Sequence, residues 1–564
     1  MTGPASGQIA KKIDGSTFVV CLKSETIRFF PAIGRSVELK HISELERATQ
    51  RGSGEMFRLG MGLLFVVGVM LYATTRGIGG ELNVMLVVAA VIGGYMAMNI
   101  GANDVANNVG PAVGSKAMSL GLALVIAAVF EAAGALIAGG EVVGTIRNGI
   151  IDASQLPSGQ SFVWLMLAAL LAGALWLNIA TAVGAPVSTT HSIVGAVLGA
   201  GIAASGFGVA NWGTVGQIAA SWVISPLLGG MVAAAFLYFI KHRITYHTDM
   251  RAAAKRWVPL LIALMGWATS SYLLLKGLKS VVKISFGAAM LYGLLFAILL
   301  FVVLRPVVSR QADKLGNDKA GIKQLFTVPL IFAAALLSFA HGSNDVANAV
   351  GPLAAIVDVL TSTSGQVQAK AAIPTWVMMV GAIGIALGLA LYGPKVIRTV
   401  GSEITELDQM RAYCIAMAAT ITVIIASQLG LPVSSTHIAV GGVFGVGFLR
   451  EWIKHKYARM EDEIKAHHPE DDQGAIDAFM VRFNAAPVAE KGRMLTELKE
   501  QAKAHLDPAH FSKQGRKALK RVYRQELVKR SQLKRIAAAW VITVPASAIM
   551  AAMLFFMIRG MMLS

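Results

Sequence analysis

Two carboxylates, Asp104 and Asp345, occur in two copies of one polar motif. The first copy begins at Gly101 and reads Gly-Ala-Asn-Asp-Val-Ala-Asn, and the second begins at Gly342 and reads Gly-Ser-Asn-Asp-Val-Ala-Asn. Each copy follows a long apolar run, where an ionisable side chain costs roughly 2.5–3.5 kcal/mol to insert into a bilayer. Because such residues normally mark a substrate or ion path, we interpret Asp104 and Asp345 as ligands of a coupling cation, Na⁺ or a proton.

Asparagines flank each carboxylate at the same spacing. Asn103 and Asn107 lie four residues apart, so they share one face if the motif is helical, and Asn344 and Asn348 repeat this spacing. A Gly-Pro pair, such as the one that ends in Pro111, follows each motif and is expected to break the helix. The motif therefore predicts an interrupted helix with polar side chains at membrane depth.

A second motif is also duplicated and is rich in hydroxyl groups. It reads Gly-Ala-Pro-Val-Ser-Thr-Thr-His from Gly184 and Gly-Leu-Pro-Val-Ser-Ser-Thr-His from Gly430. Proline suits the first turn of a helix, and the amides and partial positive charge of a helix N-terminus favour an oxyanion. Two such half-helices facing each other would bind a tetrahedral oxyanion; the alternative, that the hydroxyls only bond to neighbouring helices, stays open. These hydroxyl residues are Ser188, Thr189, Thr190, Ser434, Ser435 and Thr436.

Glu131 is a third carboxylate within an apolar run, residues 117–138, and is a further coupling-ion candidate. When the two copies are aligned, Ala382 falls opposite Glu131, so the duplication is asymmetric at this position. The histidines that end the second motif, His191 and His437, would either shuttle protons or make a hydrogen bond between packed helices.

The composition is that of a polytopic membrane protein. Of the 564 residues, 55% are hydrophobic and 15% are charged, and the mean hydropathy is +0.61, which excludes a soluble globular class. A net charge of +18 would indicate a nucleic-acid partner in a soluble protein, but here it fits basic cytoplasmic loops. The two cysteines form neither a disulfide framework nor a CxxC metal motif. The bilayer is therefore a predicted partner, whereas nucleic acid, a bound metal and a cofactor are not predicted.

The two motifs recur in the same order at separations of 241 residues (345 − 104) and 246 residues (437 − 191), which defines a long internal repeat. The apolar runs predict an all-α polytopic membrane protein of about 12 transmembrane helices, some of them broken or re-entrant. Arg147 and Arg398, near span ends, are expected to reach the interface or to make gating contacts. The predicted segments are an N-terminal cytoplasmic segment (1–55), the first membrane repeat with a flanking helix (56–240), connecting helices and basic loops (241–325), the second membrane repeat (326–449), a cytoplasmic helical segment (450–534) and a last transmembrane helix (535–564).

The duplicated Asn-Asp-Val-Ala-Asn and Pro-Val-Ser motifs resemble those of the inorganic phosphate transporter (PiT) family over residues 57–449 and the closing helix. The second half is similar to the low-affinity bacterial branch. The resemblance implies inverted repeats, a homodimer in the bacterial inner membrane, and import of inorganic phosphate in symport with H⁺ or Na⁺, free or as a metal–phosphate complex. It also implies the substrate ligands, namely Asn103, Asn107, Ser188, Thr189, Thr190, Asn344, Asn348, Ser434, Ser435 and Thr436.

One departure from the family pattern concerns Ala416, because animal members carry a glutamate there, in the helix before the second Pro-Val-Ser motif. This departure favours protons over Na⁺ as the coupling ion. Three rival functions stay open: a sulfate permease of the same fold, an anion channel, and a membrane enzyme acting on phosphorylated lipids through His191 or His437. Duplication of the whole polar constellation argues against the enzyme, since a catalytic site is normally single and asymmetric.

Overall fold

The computed structural model describes residues 12–13, 16–17, 55–76, 83–183, 187–277, 284–362, 372–403, 407–466 and 530–562. The chain divides into two compact units, residues 1–64 and residues 65–564. In the first unit, strand β1 (Lys12–Ile13) pairs antiparallel with strand β2 (Ser16–Thr17). Residues 467–529 lie outside the described part of the chain, so a cytoplasmic helical segment over 450–534 stays a prediction.

The rest of the described chain is helical, with short 3₁₀ and π-helical turns between the longer elements. The helices are α1 (Glu55–Thr74), α2 (Val84–Gly114), α3 (Leu120–Ala138), α4 (Gly140–Gly144), α5 (Gly159–Ala182), α6 (Thr189–Ser205), α7 (Trp212–Ile240), α8 (Met250–Tyr272), α9 (Phe286–Asp313), α10 (Lys319–Leu325), α11 (Thr327–Asp345), α12 (Ala347–Thr361), α13 (Thr375–Glu403), α14 (Gln409–Gln428), α15 (Ser435–Ala466) and α16 (Arg530–Met562).

Eleven helical stretches among the described residues are long and apolar enough to cross a membrane. Helix α6 is apolar but shorter, as expected of a half-helix that follows a break in the chain. This confirms the all-α polytopic membrane fold that the hydropathy pattern predicts. The large apolar side chains exposed along helices such as α9 and α16 are the surface that a bilayer would cover.

In each repeat, one glycine brings its helix into backbone contact with a helix of the other repeat. A Cβ atom at Gly101 on α2 would lie 2.0 Å from the carbonyl oxygen of Ile385 on α13. At the equivalent position in the second repeat, a Cβ atom at Gly342 on α11 would lie 2.0 Å from the carbonyl oxygen of Glu131 on α3. Only glycine permits this approach, and the approach fixes the position of the polar motif that follows each glycine.

Non-helical residues directly precede α6 and α15, and each such interruption is called a break below. Helix α14 ends at Gln428, and Gly430 follows with a φ of 66°, a left-handed conformation that suits glycine just after a helix. The side chain of Ser188 accepts a hydrogen bond from the amide of His191, and the side chain of Ser434 accepts one from the amide of His437. Both serines therefore act as N-caps, so α6 and α15 begin inside the second motif. The expectation that proline occupies the first helical turn is wrong for Pro432, which lies three residues before α15, and Pro186 lies outside the described residues.

The expectation that a Gly-Pro pair ends each motif helix is wrong. Pro111 lies inside α2, which continues to Gly114, and Pro352 lies inside α12. Proline removes one backbone hydrogen bond, but within a packed membrane bundle other groups can satisfy the freed carbonyl, so the helix persists. In the second repeat α11 and α12 meet at Val346, which keeps α-helical dihedrals (φ −56°, ψ −30°) and donates its amide to the carbonyl of Gly342, so the helical path continues there as well.

Candidate functional site

Asp104 lies where the two repeats meet. Its Oδ2 accepts a hydrogen bond from the Thr189 hydroxyl at 2.9 Å, and its Oδ1 accepts one from the Thr436 hydroxyl at 3.0 Å. Thr189 begins α6 in the same repeat, whereas Thr436 lies in the first turn of α15 in the other repeat. Because the carboxylate is fully buried, these two donors offset part of the cost of removing it from water.

Asp345 repeats one of these contacts at the end of α11. The hydroxyl of Ser435, the residue equivalent to Thr189, donates to its Oδ2 at 2.9 Å. Its Oδ1 is buried and has no hydrogen-bond partner among the described residues. A buried carboxylate oxygen without a donor has the chemistry of a ligand for a hard cation.

Asn107 and Asn348 reach from one repeat to the half-helix of the other. The amide of Asn107 donates to the Thr436 hydroxyl oxygen at 2.8 Å. The amide of Asn348 donates to the hydroxyl oxygens of Thr190 at 3.2 Å and Thr189 at 3.3 Å. The structure therefore brings these two predicted asparagines to the hydroxyl-rich turns, as an oxyanion site built from both repeats requires.

Asn103 and Asn344 have a different place, although they belong to the same motif. Asn103 donates to Thr181 near the end of α5 at 3.0 Å, and Asn344 donates to Ser427 near the end of α14 at 3.0 Å. Asn344 also accepts a hydrogen bond from the amide of Val433 at 3.3 Å, inside the break before α15. Each side chain thus holds the helix that precedes the break, which forms a hairpin with the helix after it, α5 with α6 and α14 with α15. The sequence does not reveal this contact.

His341 is a central residue of the cluster that the sequence analysis did not single out. Its Nε2 lies 2.7 Å from Asp345 Oδ2 and 3.6 Å from Asp104 Oδ2, while its Nδ1 lies 3.4 Å from Glu131 Oε1. His341 precedes Asp345 by one helical turn, so the pair shares a helix face. One ligand atom each from Asp104, His341 and Asp345 lie within 4.8 Å of one another.

Glu131 joins the cluster from α3, as its position in an apolar run predicts. Its Oε1 accepts a hydrogen bond from Asn108 at 2.7 Å, and its Oε2 has no hydrogen-bond partner among the described residues. Asn108, Glu131 and His341 are all unmatched in the other repeat, yet they contact one another. The residues at the equivalent positions are Ala349, Ala382 and Ile100.

The cluster as a whole places three buried carboxylates around one imidazole. Among the described residues, no lysine or arginine forms an ion pair with Asp104, Asp345 or Glu131, and all three side chains have no exposed surface. Even a protonated His341 would leave excess negative charge in a medium that disfavours it. Protons or a metal cation are the species that can balance this charge.

His191 and His437 lie against each other, with ring centroids 4.4 Å apart and the rings nearly perpendicular. Each ring also packs on a tryptophan, His191 on Trp222 at 3.8 Å and His437 on Trp540 at 3.6 Å. The ring nitrogens have no hydrogen-bond partner in the described part of the chain. Their contact is therefore ring packing between the two half-helices.

The comparisons with known proteins agree with this architecture. A family model described as "Phosphate transporter family" matches residues 100–551. A Helicobacter pylori (strain J99) protein described as "Putative phosphate permease" is 51% identical over 524 residues, which covers 92% of this chain and 98% of that protein. A Pyrococcus abyssi protein with the same description is 36% identical over 370 residues, 66% of this chain and 90% of its own.

A solved structure titled "The sodium-dependent phosphate transporter" matches with a TM-score of 0.67 and 30% identity. The match covers 85% of this chain and all of that chain. These descriptions all concern phosphate, and none concerns sulfate. The resemblance carried by the duplicated motifs is thereby confirmed, and this chain belongs to the phosphate transporter family.

Proposed function

We propose that this protein imports inorganic phosphate across the bacterial cytoplasmic membrane by symport with a cation, Na⁺ or H⁺. The observation that carries the proposal is the cluster of Asp104, Asp345 and Glu131 around His341, directly beside the hydroxyl-rich starts of α6 and α15. Buried carboxylates and buried hydroxyl donors side by side suit a cation and an oxyanion that travel together. Membership of the phosphate transporter family supports phosphate as the anion.

The hydroxyl groups connect the site of the cation with the site of the phosphate. Thr189, Ser435 and Thr436 donate to carboxylates in this structure, so their protons are directed away from any bound anion. When a cation neutralises Asp104 and Asp345, the carboxylates become weaker acceptors and the hydroxyls can turn to donate to phosphate oxygens. Cation binding then favours anion binding, which is the requirement for symport.

The phosphate ligands in this proposal come from both repeats. The amides of Asn107 and Asn348 already contact the hydroxyl turns, and the N-termini of α6 and α15 add the partial positive charge of a helix start. Asn103 and Asn344 would act by holding the hairpin arms. The hydroxyl ligands are Ser188, Thr189, Thr190, Ser434, Ser435 and Thr436.

The orientation in the membrane follows from the basic segments. Residues 241–256, 305–323 and 450–534 are rich in lysine and arginine, so we assign them to the cytoplasm. The two halves would then close alternately around the site, as in transporters built from inverted repeats. The family resemblance further leads us to propose a homodimer, which the mass of the detergent-solubilised protein would test.

The identity of the coupling cation separates two versions of the proposal. The similar solved structure is named a sodium-dependent transporter, which favours Na⁺. His341 among three carboxylates, and Ala416 where animal members carry a glutamate, favour protons. The cluster can accept either species, since carboxylate oxygens bind Na⁺ and both carboxylates and imidazole bind protons.

The experiment is radiolabelled phosphate uptake into proteoliposomes, with the pH gradient and the Na⁺ gradient imposed separately. We expect one of the two gradients to drive phosphate accumulation above the external concentration. An equal concentration of sulfate should leave this accumulation unchanged. Omitting Mg²⁺ tests whether a metal–phosphate complex is carried. Inhibition by sulfate would instead indicate a sulfate permease, and flux that ignores both gradients would indicate a channel.

A further inference from the structure

Arg147 and Asp358 form a buried ion pair outside the carboxylate cluster. Arg147 lies in a π-helical turn, Thr145–Gly149, that continues α4, and Asp358 lies near the end of α12. The guanidinium nitrogen and the carboxylate oxygen are 2.5 Å apart, and the two side chains are only 5% and 7% exposed. Instead of reaching the interface as sequence position suggests, Arg147 makes a charged contact between the two repeats.

The neighbours of Arg147 also contact the second repeat. The Thr145 hydroxyl donates to the carbonyl oxygen of Gly430, in the break before α15, at 2.7 Å. Ile146 packs so closely on α12 that a Cβ atom at Gly351 would lie 2.7 Å from it. Three consecutive residues thus connect one short segment of the first repeat to α12 and to the tip of the second hairpin.

Two independent paths place this contact at the extracytoplasmic end, given the orientation proposed above. Ile151, just after the π-helical turn, pairs with Ala210 before α7, and α7 runs from there to the basic loop that begins at Lys241. Helices α11 and α12 start next to the basic helix α10 and run to Thr361 at the other end of the bundle. Both Arg147 and Asp358 are therefore remote from the cytoplasmic loops.

The duplicated sequence does not provide this ion pair at the opposite end. Arg147 corresponds to Arg398 in the second repeat, but the position that corresponds to Asp358 is Ala117. At this aligned position, a carboxylate is therefore present in the second repeat only. A contact that is present at one end only stabilises the form that is closed at that end relative to the form that is closed at the other end.

We propose that Arg147 and Asp358 form a charged latch that holds the extracytoplasmic end closed and must part before phosphate enters. The proposal rests on the proposed function, since it assumes alternating access. The closed form contains this charged contact between the repeats, whereas a form that is open at this end does not, so removing either partner weakens the closed form alone. Loss of either charge should therefore shift the protein toward the form that is open to the outside.

The test measures distances between spin labels across the extracytoplasmic end. Labels are placed on Gln155→Cys and Thr361→Cys, both exposed, in a background with Cys21→Ser and Cys414→Ser. We expect Arg147→Gln and Asp358→Asn each to raise the ratio of long to short distances by roughly tenfold, which corresponds to about 1.4 kcal/mol. The double variant should shift the distances by no more than either single variant, because the contact between Arg147 and Asp358 is already lost in each of them.

The matched control is Lys255→Gln, which breaks the exposed pair between Lys255 and Asp313 and should leave the distances unchanged. Should either single variant fail to fold, Arg147→Lys keeps the charge and is expected to give an intermediate ratio. Folded, membrane-inserted single variants with the parent distances would overturn the latch. The spin labels report the conformation of the protein in the absence of substrate. This outcome can therefore be distinguished from a failure of the parent protein to take up phosphate.

Discussion

The hydroxyl of Thr436 donates a hydrogen bond of 3.0 Å to the carboxylate of Asp104, although the two residues belong to different repeats. The other carboxylate oxygen is held by Thr189 from the same repeat as Asp104. One side chain thus connects the starts of α6 and α15. In the mechanism proposed above, a cation that neutralises Asp104 would release both hydroxyls together for the anion.

Replacing Thr436 by valine should weaken phosphate uptake by roughly tenfold or more. Valine keeps the shape of the side chain but cannot donate to Asp104 or accept from Asn107, and a hydrogen bond to a charged group contributes about 1.5–3 kcal/mol. Thr436→Ser should retain most uptake. The control is Thr422→Val, since Thr422 donates only within its own helix, to the carbonyl of Ala418. Equal uptake by the two valine variants would remove Thr436 from the mechanism.

Asp104→Asn and Asp345→Asn should each abolish phosphate uptake while leaving membrane insertion intact. Asparagine has nearly the same shape as aspartate, but it carries no charge to be balanced by a cation. Uptake by the purified variants is the measurement, with size-exclusion chromatography to confirm folding. Asp313→Asn changes an exposed aspartate and serves as the control. Normal uptake by both cluster variants would show that these carboxylates are not coupling-ion ligands.

His341→Gln should reduce uptake at least about tenfold. The imidazole is the group that faces Asp104, Asp345 and Glu131 together, and glutamine cannot carry a positive charge between them. Initial uptake rates at several pH values are the measurement, because a proton held by the imidazole would also change the pH profile. His247→Gln, in an exposed loop, should match the parent. An unchanged rate and profile in His341→Gln would contradict a role in the cluster.

Gly101→Ala and Gly342→Ala should lower thermal stability, because each added Cβ atom would meet a backbone carbonyl oxygen at 2.0 Å. Overpacking of this kind typically costs about 1–3 kcal/mol, and a backbone neighbour cannot move aside as a side chain can. The melting temperature of the purified protein is the measurement. Gly110→Ala is the control, since nothing lies within 4 Å of its added Cβ atom. Similar melting temperatures for all three variants would refute close packing at these glycines.

The duplicated motifs made the fold class and most of the cluster predictable. The sequence alone predicts a cation at the carboxylates and an oxyanion at the hydroxyls of the second motif, and it does not predict contact between the two groups. The hydrogen bonds from Thr189 to Asp104 and from Ser435 to Asp345 are therefore findings of the structure. The Gly-Pro expectation failed because the persistence of α2 through Pro111 depends on surrounding helices that local sequence does not describe.

The contacts between the repeats could not be predicted from the sequence. The local sequence does not indicate that Asn107 donates to Thr436. It also does not indicate that Asn103 donates to Thr181 and not to the hydroxyl-rich turns at the starts of α6 and α15. His341 did leave a signal, because a position-by-position comparison of the repeats finds an unmatched histidine, as it finds an unmatched Glu131 and Asn108. Unmatched polar residues in a duplicated membrane chain are therefore candidates for one shared cluster.

The most direct test of the central claim is the affinity for phosphate with and without the cation that drives uptake, measured by titration calorimetry on the purified protein. If the hydroxyls are released when the carboxylates are neutralised, phosphate should bind at least about tenfold more tightly with saturating cation, a coupling of about 1.4 kcal/mol. Asp104→Asn should lose that dependence. The same phosphate affinity with and without the cation would contradict the coupling between the two sites.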